Sequence, residues 1–181
     1  MPERLILWIA IIVLTSCEQG RPLPVGRPEA PAEKDMEAFR EALISQNRQL
    51  VLEEMRSIDA YASRLGLVMD TTSTGLRILV TVRKPGGKKT GLMRDVTITY
   101  TLKLTDGTLC ASSDSSGPLT FTLGQSAEPS GLQEGLLKMR EGEEAIMIVP
   151  SFLAFGITGD GHCIPGSSSI IYKVKIEKVE D

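Results

Sequence analysis

The stretch DVTITYTLKLTDGTLCASS, Asp95 to Ser113, decides how the chain is read. Val96, Ile98, Tyr100, Leu102 and Leu104 alternate with Thr97, Thr99, Thr101 and Lys103, and this period of two predicts a half-buried antiparallel strand. Thr105-Asp106-Gly107 turns the chain, and LTFTLG, Leu119 to Gly124, reads as a second short strand. Between them Cys110 puts a thiol where a surface hairpin usually carries something inert.

Working outward, LRILVTV from Leu76 is a further strand, closed by the breaker KPGGKKTG. Downstream, SGLQEGLLKMREGE places Leu132, Leu136 and Met139 at helical spacing, with Ser130 as a candidate N-cap and Gly142 just past the end. EEAIMIVP and SIIYKVKIEKV supply two closing strands. The segment between them, SFLAFGITGDGHCIPGSS, is long and glycine-rich, which in a compact domain marks a functional loop. The fold class expected is α+β, an antiparallel sheet of about five strands with one short helix, preceded by a long N-terminal helix.

That N-terminal helix is expected over residues 35–66. Asp35 to Leu65 contains no Gly or Pro, and Val51, Met55, Ile58, Ala62 and Leu65 recur at 4-3-4-3 spacing ahead of a capping Gly66. The stripe either packs on its own domain or forms a dimerising or client-facing arm. Before it, residues 17–34 with Pro22, Pro24, Pro28 and Pro31 read as an extended tether. MPERLILWIAIIVLTSC places one Arg ahead of a short apolar run and small residues, so 1–16 is expected to be a signal peptide and Leu14 to Cys17 resembles a lipobox. Lipid on Cys17 would hold an exported protein on a membrane, facing the periplasm or the cell surface; a plain signal peptide or short anchor is the alternative. Residues 67–181 form the main domain.

Composition narrows the function. The chain has 181 residues, 41% hydrophobic and 24% charged, with a formal charge of −3 and no Lys/Arg run of the kind that tracks a nucleic acid. Export makes disulfides permissible. The single histidine, His162, lies near Asp160, yet no serine elbow accompanies it. His162, Cys110 and Cys163 match no recognised zinc spacing, and no glycine loop suited to a phosphate is present. No cofactor or metal is expected, so an enzyme here must work without conventional catalytic groups.

One family fits that constraint. VTITYTLKLTDGTLCASS, PLTFTLG, GLQEGLLKMREGEEAIMIVPSFLAFG, the Ile164-Pro165 pair and YKVKIEKV, taken in that order, resemble the FKBP-type peptidyl-prolyl cis-trans isomerases over Arg94 to Asp181. The resemblance implies a sheet wrapped around a short helix with an apolar pocket between them. It also implies that some bacterial members are lipoproteins and that some exported members dimerise through an N-terminal helical segment.

Carried over position by position, the resemblance puts Tyr100, Cys110, Phe121, Leu132, Phe155, Ile164 and Tyr172 at the pocket; the plain alternative is that these side chains are simply core. Leu132 stands where many members have tryptophan. Cys110, Ala111 and Ser112 stand where the family usually has phenylalanine, aspartate and serine, Phe155 where tyrosine is commoner, and Pro129 where a backbone N–H meets substrate. The resemblance further places Cys163 in the loop facing Cys110, where a bridge would pin that loop over the pocket; two small buried hydrophobes are the other reading. The reading that follows is a membrane-tethered isomerase acting on X-Pro bonds of exported, proline-containing clients, with weakened activity. The alternatives are a catalytically poor FKBP-like holdase and, more remotely, a purely structural lipoprotein.

Overall fold

The computed structural model describes residues 33–180; the expected signal peptide, Cys17 and nearly all of the expected tether lie outside the described residues. The chain divides into two compact units between Leu43 and Ile44, within a single helix, α1, that runs Glu33–Arg64. In the first unit, Met36, Phe39 and Leu43 are all solvent-exposed.

In the second unit, α1 is followed by β1 (Asp70–Thr71), β2 (Arg77–Val82), β3 (Asp95–Leu104) and β4 (Leu109–Ser112). A one-turn helix α2 (Ser113–Ser116), β5 (Leu119–Thr122), α3 (Ser130–Leu136), β6 (Glu144–Val149), a 3-10 turn (Ser151–Leu153) and β7 (Ile170–Glu180) complete it. The strands form one antiparallel sheet in the order β1-β2-β6-β7-β3-β4, with β5 also on β3. Among the described residues the sheet contains the five expected strands and two short ones besides, the two-residue β1 and the four-residue β4. Both are too short to show a period.

Alternation drives the sheet. Ile170, Tyr172, Val174 and Ile176 of β7, with Ala145, Met147 and Val149 of β6, point to one face and form the main core with Leu132 and Leu136 of α3. Helix and sheet approach closely because α3 carries glycine on that side: a Cβ on Gly135 would collide with the Met147 thioether. Burying these side chains supplies on the order of 1.5–3 kcal/mol each. The opposite face is covered by α1, where Met55, Ile58 and Ala62 meet Ile148 and Ile171. Arg77 secures that contact from β2 through an Nε donation to Asp59 at 2.8 Å.

Three sequence expectations need correction. Val51 and Leu65 are exposed, so only the middle of the expected helix stripe, Met55, Ile58 and Ala62, packs into the core. Ser130 does not cap α3. Pro129 occupies that position without a side-chain bond, and Ser130 Oγ donates instead to the Leu153 carbonyl at 3.3 Å. Gly142 does not directly follow the helix, since α3 ends at Leu136; it turns the chain into β6 instead, its φ of +80° suiting a residue without a Cβ.

Candidate active site

Four strands, α3 and the loop between β6 and β7 bring the expected site residues together. β3 supplies Tyr100, opposite Val174 of β7, and β7 supplies Tyr172, opposite Leu102 of β3. The two phenol rings lie 5.9 Å apart, tilted at 55°, a favourable aromatic arrangement. Phe121 on β5 sits opposite Val96, and α3 contributes Leu132. Leu132, Ile164 and Tyr172 are almost wholly buried in this cluster, while Tyr100, Cys110, Phe121 and Phe155 are half-buried at its margin. The first three form the buried floor of the cluster, and the last four keep part of their surface exposed at its rim.

Cys110 reaches the cluster through a bulge. Leu102 pairs with Ala111 and Lys103 with Leu109, which leaves Cys110 as the extra residue on β4. A bulge turns two successive side chains to the same face, and both Cys110 and Ala111 pack against the core. A disulfide joins Cys110 to Cys163, with Cα atoms 5.5 Å apart, and so ties β4 to the β6–β7 loop. The edge of β3 is continued past β5 by Ser113. Its Oγ accepts from the Tyr100 amide at 3.0 Å and donates to the Tyr100 carbonyl at 3.3 Å.

The loop carrying Phe155, Cys163 and Ile164 is fastened at its tip and at its ends. Asp160 Oδ1 accepts from the amides of His162 at 2.9 Å and Ile164 at 2.8 Å. These bonds hold its carboxyl below the usual carboxylate range. Asp160 thus takes the His162 amide rather than its ring. Gly159, at φ +72°, lets the chain fold back so tightly that a Cβ there would strike the Ile164 carbonyl. At the ends, Ser151 and Ser169 both bond to Glu54 of α1.

The site is poor in polar groups directed at a ligand. Ala111 offers a methyl, Phe155 has no hydroxyl, and Pro129, which is buried, has no N–H. Ser112 caps α2, accepting from the Asp114 amide at 3.2 Å. Desolvation pushes the Tyr172 phenol up, with smaller contributions from Glu128 and Tyr100. Burial likewise raises the Glu128 carboxyl, on the segment leading into α3. Gln133 holds that segment, its Nε2 donating to the Glu128 carbonyl at 2.8 Å.

Sequence reasoning missed Glu54, Glu128, the bulge at Cys110, and Thr90. Thr90 is buried, and its Oγ1 is shared between the carbonyls of Leu136 at 2.8 Å and Met139 at 2.9 Å, satisfying the end of α3. None of these has a periodic signal.

Comparison with known families matches residues 86–177 to the family described as FKBP-type peptidyl-prolyl cis-trans isomerase. An "FK506-binding protein" of Neisseria meningitidis serogroup C is 35% identical over 106 residues, covering 58% of this chain and 97% of that protein. "Peptidyl-prolyl cis-trans isomerase FKBP2" of Homo sapiens is 39% identical over 82 residues, 45% of this chain and 58% of that protein. A "Probable FKBP-type peptidyl-prolyl cis-trans isomerase FkpA" of Neisseria meningitidis serogroup B is 36% identical over 112 residues, 60% of this chain but 39% of that protein. Among solved structures, FkpA from Escherichia coli shares the fold with a TM-score of 0.60 at 24% identity, covering 82% of this chain and 73% of its own.

Proposed function

The chain belongs to the FKBP-type peptidyl-prolyl cis-trans isomerase family, and on that premise we propose that it isomerises X-Pro bonds of exported polypeptides from a membrane tether, at a reduced rate. The observation that carries the reading is the convergence of Tyr100, Phe121, Leu132, Phe155, Ile164 and Tyr172 on one apolar cluster. An X-Pro amide faces a rotation barrier of about 20 kcal/mol because its C–N bond has partial double-bond character. A dry wall disfavours the charge-separated resonance form, and a shape that fits the twisted amide better than either planar form lowers the barrier. Such a site uses no acid, base or nucleophile.

The reduced rate follows from the replaced positions. Ala111, Phe155 and Pro129 withhold three polar contacts, each worth about 1 kcal/mol, or about tenfold in rate at most. The same losses favour a second reading, an FKBP-like holdase that binds unfolded clients without turnover. The export reading rests on the lipobox-like run ending at Cys17 and is supported by the Cys110–Cys163 bridge, which suits an oxidising compartment. The exposed apolar side chains Met36, Phe39, Leu43 and Ile44 of α1 support pairing with a second copy.

The test is turnover of a proline-containing peptide by residues 18–181 against a heat-inactivated control, in the wild type and in Ala111→Asp. Turnover above background that rises in Ala111→Asp supports the isomerase. No turnover in either, with aggregation of a denatured client still suppressed, replaces the enzyme with the holdase.

A further inference from the structure

The geometry points to Glu54 of α1 as a positioning residue for the isomerase site, holding both ends of the loop that presents Phe155 and Ile164; the inference rests on the isomerase reading. Glu54 Oε1 accepts from the Ser151 amide at 2.6 Å and from Ser169 Oγ at 2.6 Å. Its Oε2 accepts from Ser151 Oγ at 2.9 Å. Ser151 opens the 3-10 turn at the start of the loop, and Ser169 is the last residue before β7. One carboxylate therefore closes the base of the whole loop, through bonds of the stronger, charge-assisted kind.

The turn that carries Phe155 hangs from that base, while Cys163 is tied separately to β4. The Ser151 carbonyl accepts from the Gly156 amide at 2.8 Å, and the Gly156 carbonyl accepts from the Ser167 amide at 2.8 Å. Ser151 is thus the anchor from which the turn carrying Phe155 is hung. Docking of α1 itself does not need Glu54, because Met55, Ile58 and Ala62 fill the apolar contact and Asp59 takes Arg77. The Glu54 carboxylate instead bonds to the two ends of the loop.

Substitution by glutamine separates positioning from general support. In Glu54→Gln the new carbonyl oxygen can accept both bonds now made to Oε1, and the new amide can donate to Ser151 Oγ. The experiment measures kcat and KM on a proline-containing test peptide, using residues 18–181, for the wild type, Glu54→Ala, Glu54→Gln and Ser169→Ala. Glu54→Ala is expected to lower kcat/KM about tenfold, mostly through KM, with Glu54→Gln within about twofold of wild type. Ser169→Ala, which leaves both Ser151 contacts and the docked helix in place, is expected to lose about threefold. Glu54→Ala matching the wild type, or Glu54→Gln as impaired as Glu54→Ala, overturns the inference while leaving the isomerase reading intact. If Glu54→Ala does not fold, Ser169→Ala decides, and wild-type KM in that variant overturns the inference. A wild type without turnover overturns both readings and is told apart by failing at the first measurement.

Discussion

Cys110, the bulged residue of β4, is bonded to Cys163, 53 residues further along the chain, in the loop that follows β6. Closing a loop of that length restricts the unfolded chain by about 4 kcal/mol in the chain-entropy account. Residues 18–181, purified without reductant, should show no free thiol in denaturant, and Cys110→Ser with Cys163→Ser should cost about 2–4 kcal/mol on unfolding. Two titratable thiols in the non-reduced protein would remove the bridge.

Phe155 and Leu132 should respond differently to truncation. Leu132 is wholly buried between α3 and the sheet, so Leu132→Ala should destabilise by about 2–5 kcal/mol and lose activity partly for that reason. Phe155 is half-buried, and Phe155→Ala should lower kcat/KM by several-fold with less than about 1.5 kcal/mol lost from folding. Chemical denaturation beside peptide turnover separates the two. Equal stability losses in both variants would make Phe155 core rather than wall.

The tip of the same loop should be sensitive to acid. In the folded chain the Asp160 carboxyl is held below its ordinary value near 3.8 by the His162 and Ile164 amides. Its contribution is therefore fully present at neutral pH and is lost as pH falls through the lowered folded value. The amide resonances of His162 and Ile164 should titrate with a midpoint below 3.8, and Asp160→Asn should destabilise at neutral pH with the difference vanishing in acid. A midpoint at or above 3.8 rules this out.

The first turns of α1 should mediate self-association. Met36, Phe39 and Leu43 lie on one side of the helix at 3- and 4-residue spacing and stay 43–60% exposed. Light scattering on residues 18–181 should give a dimer mass, and Phe39→Glu with Leu43→Glu a monomer. A monomeric parent, or a dimer insensitive to the double substitution, ends this reading.

The parts of the fold that could be read in advance are those where one face of an element does one job. β3 and β7 were legible because Val96, Ile98 and Leu102, and Ile170, Tyr172 and Val174, all turn to a single core. The helix α1 was only half legible: spacing marks Val51 and Leu65 as readily as Ile58, but only Ile58 is buried, against Ile148, while the other two stay exposed. β4 was hidden because four residues with a bulge show no alternation. The site walls came through family resemblance, since a half-buried Tyr100 and a fully buried Leu132 look alike as letters. Glu54 came from neither source. Its partners stand 97 and 115 residues away, and an acid meeting two serines leaves no pattern along the chain.

β7 lies between β6 and β3, and in the strand order it is the element that joins β1-β2-β6 to β3-β4. The two half-sheets thus stay unjoined until residues 170–180 are available to pair. Contacts between distant parts of a chain delay folding, and here the last strand in sequence completes the sheet. Until β7 arrives, β3 and β6 each keep an unpaired edge, so the earlier segments cannot complete the sheet among themselves.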